Sequence, residues 1–317
     1  MTVMVIMRLG ERDLLDLDQP ISVYLKGYNI HESWMSVTLR DLILHKAGVQ
    51  RDFPGPIFQQ AAESDDHIVV DRQEALRKVL AKKIDPAPGG LKSYSNVGFT
   101  LLGHIAEVVT GNSWEVILRD EIWNPLALTS AGFGPPRSEN SKEQPQGHRP
   151  LLYKVELWGI PSIGPVREQD PTNPSSDLTT IIRPAGLVHI NTKDLARFGD
   201  EYLKGIRGNS QLLGEESFNF LLTPEIEVSE GIKLTNGSFA FDENVITKSQ
   251  NKHTYSVTGW NTSFVGFLIL FPDQNAVLAL ASNDGRLNRV IRLFTERSQD
   301  ISVALQKQAT SSAGSVD

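Results

Sequence analysis

Tyr94, Ser95 and Asn96 stand in a row where the loop "DPAPGGLK" runs into the apolar stretch "VGFTLLGHIAEVV". A phenol gives up its proton near pH 10, and a cation beside it lowers that value by favouring the phenolate. Lys92, two residues upstream, is the nearest such cation in the sequence, although a lysine in solvent is the plainer reading. Tyr94 can therefore be a general acid or base, or a half-buried packing residue with its hydroxyl in water. Ser95 and Asn96 also read two ways. Either can cap the helix that follows by accepting a hydrogen bond from a first-turn N–H, and Ser95 has no lysine at helical spacing to activate it as a nucleophile.

Other constellations are thinner. Ser249-Gln-Asn-Lys252 has the spelling of a Ser-x-x-Lys pair, but it lies in the polar run "TKSQNKH", where no helix would hold hydroxyl and ammonium one turn apart. His104 and Glu107 share a helical face; without a second pair at ligand spacing they read as structural, and no metal ion is called for. No Gly-x-Ser-x-Gly elbow, P-loop or dinucleotide fingerprint occurs, so no cofactor is expected.

Stepping outward, the 317 residues are 40% hydrophobic and 22% charged, ordinary for a globular protein with a real core. A net charge of −7 without basic runs argues against nucleic acid or an anionic membrane as partner. The absence of cysteine removes a thiol nucleophile, disulfides and thiolate metal sites together. No run reaches the roughly 18 apolar residues of a membrane span, and "MTVMVIM" is too short for a secretory signal, so the default expectation is a cytoplasmic protein.

Residues 1–230 read as mostly helical. An opening helix runs from Met1 to Leu17, and a second begins at Thr38 with Asp41 at the N3 position and Gly48 as its stop. Further helices cover Asp71 to Leu80, the Tyr94 segment with its stripe of Val97, Leu101, Ile105 and Val108, Ser113 to Pro125, and a helix capped by Asn191. Residues 231–305 change to strands, "GSFAF", "TYSVTGW", "SFVGFLILF" and "AVLALAS", then a helix from Arg286 to Leu305. Both faces of the last two strands are apolar, so each must be covered. Residues 306–317 read as a disordered tail, and the whole as one composite domain of the α+β class, an antiparallel sheet flanked by helices.

Three stretches, in this order, resemble the serine β-lactamase and penicillin-binding-protein-like family, in its class C β-lactamase and family VIII esterase branch. They are "SVTLRDLILHKAGV"; "PGGLKSYSNVGFTLLGHIAEVVTGNSWEVILRDEIWNPLALTSAGFG"; and "RPAGLVHINTKDLARFGDEYL" with "YSVTGWNTSFVGFLILFPDQNAVLALASNDG". The resemblance implies a β-lactamase/transpeptidase-like fold and acyl transfer from a small-molecule ester or amide. It makes Tyr94 the family's acid/base tyrosine and Asn96 the matching asparagine. It also makes Thr258, Gly259 and Trp260 part of the strand edge that pairs with substrate and offers a backbone N–H to the oxyanion.

Two departures matter. The family's Ser-x-x-Lys motif would fall just before Met1, and Val257 stands where relatives carry Lys or His. Recognition of a substrate carboxylate becomes doubtful; Trp260 would suit an apolar acyl group, or simply pack. Two readings follow: an esterase or acyltransferase whose nucleophile this chain does not show, or a non-hydrolytic or inactive member that binds a small molecule or a partner chain or uses Tyr94 for a different acid/base reaction. The family's first strands are also not found, so either a second copy, another chain or another segment covers a sheet edge, or the natural protein is longer.

Overall fold

The computed structural model describes residues 1–55, 67–84, 94–136, 144–152, 162, 164–173, 176–229, 231–242 and 254–313. Its helical half is built around one enclosed helix. Helix α1 (Thr2–Gly10) buries Val3, Met4, Val5, Ile6 and Leu9 and stops at Gly10, well short of Leu17. Helix α2 (Leu39–Ile43) has the expected capping box, Thr38 Oγ1 accepting from the Asp41 N–H at 3.1 Å and the Asp41 carboxylate from the Thr38 N–H at 3.0 Å. It ends at Leu44 rather than near Gly48, because His45 turns to a left-handed φ of 55°. Helix α3 spans Ile68–Leu80.

Helix α4 (Asn96–Thr110) starts at Ser95 and stops at Gly111, whose φ of 72° suits a residue without a side chain. A single apolar stripe was expected, yet Val97, Leu101, Leu102, Ile105 and Ala106 are all fully buried, and Val108 is exposed. Several elements enclose it: α1, α2, α3, helix α5 (Trp114–Leu118) and a 3-10 turn, Thr180–Ala185. At Gly103 a Cβ would lie 2.4 Å from the Pro184 ring, so the proline can approach this closely only at a glycine.

Charge is buried inside this packing. Arg72 on α3, with no exposed surface, binds Glu107 of α4 and Glu115 of α5, the second at 2.9 Å, and donates to the Ile181 carbonyl at 3.1 Å. Glu107 also accepts from His104 Nδ1 at 2.9 Å and the Trp114 N–H at 3.0 Å, while Tyr28 and His104 share a hydrogen bond of 2.6 Å. His104 and Glu107 are thus members of a structural clamp.

Two small antiparallel pairs lie beyond it: β1 (Gly132–Phe133) with β4 (Val188–His189), and β2 (His148–Pro150) with β3 (Val166–Glu168). Helices α6 (Thr192–Gly205) and α7 (Glu215–Leu222) lead to the main sheet, and Asn191 caps α6 as expected. That sheet contains β5 (Pro224–Ser229), β6 (Ile232–Thr235), β7 (Ala240–Asp242), β8 (Thr254–Trp260), β9 (Val265–Phe271) and β10 (Ala276–Ser282), antiparallel in spatial order 10-9-8-7-6-5. Leu268 and Leu270 face the main core under α6, where a Cβ on Gly199 would lie 2.7 Å from Val277 and 2.8 Å from Leu268. Phe267, Ile269 and Phe271 face helix α8 (Leu287–Ala313), with the Phe267 and Phe294 rings 6.0 Å apart. Both faces of β9 are covered, as its two-sided apolar sequence requires.

The architecture is α+β. Two expected boundaries move. Strand β5 already belongs to the sheet, so a division at 230/231 would cut through it. Helix α8 continues to Ala313 where a disordered tail was expected, since Gln306, Lys307, Gln308 and Ala309 are good helix formers that carry its last turns.

Arg72→Met leaves the buried Glu107 carboxylate without its guanidinium partner, while Glu115 keeps only Arg183 at 3.5 Å, and urea unfolding should show a loss of about 3–5 kcal/mol. Lys204→Ala, which breaks the exposed 2.8 Å pair with Asp200, should cost no more than about 0.5 kcal/mol.

Candidate active site

The start of α4 places the three residues of the motif in different surroundings. Ser95 is buried, and its hydroxyl does two jobs, accepting from the Gly98 N–H at 2.9 Å and donating to the Gln50 carbonyl at 2.7 Å. It is a cap, with no proton left to give to a base. Asn96 donates its side-chain amide to Asp52 at 2.6 Å and its backbone N–H to the Arg51 carbonyl at 2.8 Å, fastening the loop of residues 50–52 to the helix. Tyr94 is 50% exposed, its ring 4.9 Å from the His45 ring and 5.6 Å from the Arg51 guanidinium.

Burial on its enclosed side raises the Tyr94 pKa above the usual phenol value; the Arg51 charge opposes that rise and Asp52 adds to it. At neutral pH Tyr94 keeps its proton. The described cation beside it is Arg51, 43 positions away in sequence, a proximity that only the fold creates; Lys92 lies outside the described residues, as do Ser249 and Lys252. Burial pushes His45 down to about 4, so its imidazole is neutral, with Nδ1 accepting from the Ser95 N–H at 3.2 Å and the ring stacked 5.1 Å from Phe99.

The second half of the site is on β8. Strand β7 pairs with Thr254, Tyr255 and Ser256, so Val257 to Trp260 continue along β9 with no strand on their other edge among the described residues. Alternation sorts their side chains. Tyr255 lies opposite Leu270 and packs on the main core, which puts Val257 and Gly259 on that face and Thr258 and Trp260 on the α8 face. Trp260 accordingly donates its indole N–H to the Gly285 carbonyl at 2.9 Å, anchoring the strand end. Its side chain therefore does not serve as an apolar wall on the core face; from Thr258 and Trp260 that side receives backbone only.

On the core face Gly259 pairs with Gly266, and a Cβ on either would meet nothing within 4 Å. The two glycines form a notch beside the area covered by α6, with Val257, 37% exposed, at its rim. Gly266 was not singled out from sequence; its pairing with Gly259 becomes visible only when the register is known. Past Trp260, Asn261 donates to Asp177 at 3.1 Å at the base of a small recess walled by Pro135, Pro145 and Phe264, and burial raises the Asp177 carboxyl above the usual range.

The two halves are joined through the turn between β6 and β7. Ser238 donates to the Ile43 carbonyl at 3.1 Å, and Ile43 ends the helix that leads to His45 and Tyr94. Tyr94 and Asn96 belong to one cluster, and Thr258 to Trp260 to the other. No group of three or more metal-ligating side chains occurs among the described residues, and none of their helices is long and apolar enough to cross a membrane.

Helices on an antiparallel sheet, a tyrosine at a buried helix start and an open strand edge define a β-lactamase/transpeptidase-like arrangement. The sequence matches the Beta-lactamase family over residues 1–295, and the chain belongs to that family. It is 27% identical over 206 residues to penicillin-binding protein 4 of Amycolatopsis lactamdurans, covering 64% of this chain and 48% of that protein. With the esterase/beta-lactamase LipL of Mycobacterium tuberculosis it shares 27% identity over 142 residues, 44% of this chain and 30% of the relative. The chain thus spans about half or less of these curated relatives. In fold it is similar to the D-stereospecific amidohydrolase of a Streptomyces species, with a TM-score of 0.66 at 22% identity, covering 90% of this chain and 79% of the other.

The His45 value lies below the ordinary 6.5, so its contribution to stability is complete above pH 6.5 and lost as pH falls toward 4. Unfolding at pH 7, 5.5 and 4.5 should show that loss. His45→Asn, which tolerates the left-handed backbone, should flatten the slope by up to about 1.4 kcal/mol per pH unit.

Proposed function

We propose that the chain binds a small ester or amide with its acyl portion along the open edge of β8 and its reacting group toward Tyr94. The observation that carries this reading is the unpaired edge of Thr258, Gly259 and Trp260, beside a notch that no side chain fills. Backbone N–H groups fixed in a sheet are aimed before the reaction starts, so they stabilise a developing oxyanion without reorganising. Tyr94, protonated at neutral pH, suits the general-acid role of protonating a leaving group; beside Arg51 it can also return as a base once substrate excludes water. Asn96 fixes the loop that carries Arg51.

The apolar Val257 at the rim favours a neutral acyl group over one that bears a carboxylate, an esterase or acyltransferase type of substrate. Kinship with a protein described as an esterase and β-lactamase supports the same class. Ser95, committed to the helix cap, is not the nucleophile. A second reading, a cleft that binds such molecules without cleaving them, is favoured by the high proton affinity of Tyr94.

Intact-mass analysis after treatment with a fluorophosphonate, which labels activated serines, separates the two. A stoichiometric adduct mapped to one peptide is the expected result; folded protein without an adduct would leave the binding reading. Tyr94→Phe keeps the ring contacts with His45 and Arg51, so thermal stability should stay within about 1 kcal/mol. Turnover of a nitrophenyl ester should fall roughly 100-fold or more.

A further inference from the structure

On the core face, the notch over Gly259 and Gly266 does not stop at the last residue of β8. The Asn261 N–H donates to the Phe264 carbonyl at 3.4 Å and closes the turn, so Asn261 and Phe264, each two residues from a glycine, stand on the same face as the notch. The notch therefore runs on into the recess that these two residues share with Pro135, Pro136, Pro145 and Pro171. Asp177 lies at its base.

The Asp177 carboxylate is held firmly but only half used. The Asn261 side-chain oxygen accepts from the Ser263 and Phe264 N–H groups at 3.2 and 2.9 Å, which turns its amide N–H onto Asp177 Oδ1 at 3.1 Å. The same oxygen accepts from the Leu178 N–H at 2.8 Å. Among the described residues the second oxygen has neither a hydrogen-bond donor nor an ion-pair partner. Arg149 and His189 act on the carboxylate from a distance. Arg149 is bound to Thr262 Oγ1 at 2.9 Å and to the Ser176 carbonyl at 3.0 Å, and His189 Nδ1 to the Gly134 carbonyl at 2.8 Å. The surroundings add acceptors: the Ser176 hydroxyl gives its proton to the Asp170 carbonyl, and the Gln169 amide donates to the Arg167 carbonyl at 2.9 Å. The four prolines have no N–H to offer. A carboxylate drawn out of water with one oxygen unpaired costs free energy, which a donor arriving from outside would return.

We propose that Asp177 is the specificity-determining residue of the site, its second oxygen receiving a primary ammonium at the far end of the substrate's acyl portion. This rests on the reading that the acyl portion lies along the edge of β8. Size selects the cation. The enclosed part of the recess is about 10 Å³, room for one water-sized group, which an ammonium matches and a guanidinium or trimethylammonium exceeds. From Gly259 to Asn261 is two residues of strand, about 7 Å, the reach of a six-carbon chain. The substrate is then an ester or amide of an aminoacyl group, apolar beside Val257 and cationic at its tip. A carboxylate at that tip would meet Asp177 as a like charge.

The test measures binding without turnover, by calorimetric titration of the full chain with hexanamide, 6-aminohexanamide, 6-hydroxyhexanamide and the trimethylammonium analogue of the amine. Hexanamide reports the β8 edge, and the amine reports the recess. The amine should bind about tenfold more tightly than hexanamide. Asp177→Asn should remove that difference, because Asn keeps an oxygen for Asn261 and Leu178 and loses the charge. The trimethylammonium analogue, equally charged but too large, should bind no better than hexanamide. If it binds as tightly as the amine, attraction to the net charge of −7 explains the preference and the proposal falls. It falls as well if the hydroxyl compound matches the amine, since a neutral donor would then suffice. Equal binding of hexanamide and the amine would overturn the role of Asp177 and leave the β8 reading standing, whereas binding of none of the amides would overturn both. If Asp177→Asn does not fold, the comparison of the four amides on the unaltered protein decides alone.

Discussion

The buried guanidinium of Arg72 sits between two carboxylates and a backbone carbonyl, and the helical half is arranged around it. A charge removed from water must be fully satisfied, so α3, α4 and α5 are fixed in relative position as well as held together. Hydrophobic burial around α4 is not directional. The ion network supplies the direction, setting the rotation of α4 and hence where its first turn points. Ser95 then anchors that turn to Gln50, and Asn96 anchors it to Asp52.

From this follows a division of labour at the motif. The two polar residues after Tyr94 are consumed in holding the helix start, which leaves the tyrosine as the member with an exposed, titratable group. Its partners, His45 and Arg51, arrive from the segment after α2, where a left-handed His45 redirects the chain. The neutral imidazole adds no charge beside the phenol, so burial and Arg51 are the opposing influences on its proton.

Among the described residues, the edges of the sheet at β8 and at β10 differ in kind. At β8 the edge is open because β7 is short, the adjoining face carries two glycines, and the exposed groups are backbone. At β10 the strand is apolar on both sides and is the last strand of the sheet among the described residues. The first kind invites a small molecule with a polar backbone-like group; the second invites another strand.

Read alone, the sequence shows the family resemblance, the α+β class, the caps at Thr38 and Asn191 and the two-sided apolar strands, and it leaves Ser95 and Asn96 as alternatives for the third cap. Each of these depends on residues close together in the chain or on an ordered set of motifs. It did not determine that His104 and Glu107 join Arg72, that Arg51 lies against Tyr94, or that Trp260 turns to the α8 face while Gly259 and Gly266 leave a notch. Those outcomes depend on strand register and on contacts between distant segments, where a shift of one residue exchanges the faces of a strand. Local spacing fixes which residues can share a face, and only the packing of one element on another decides what that face meets.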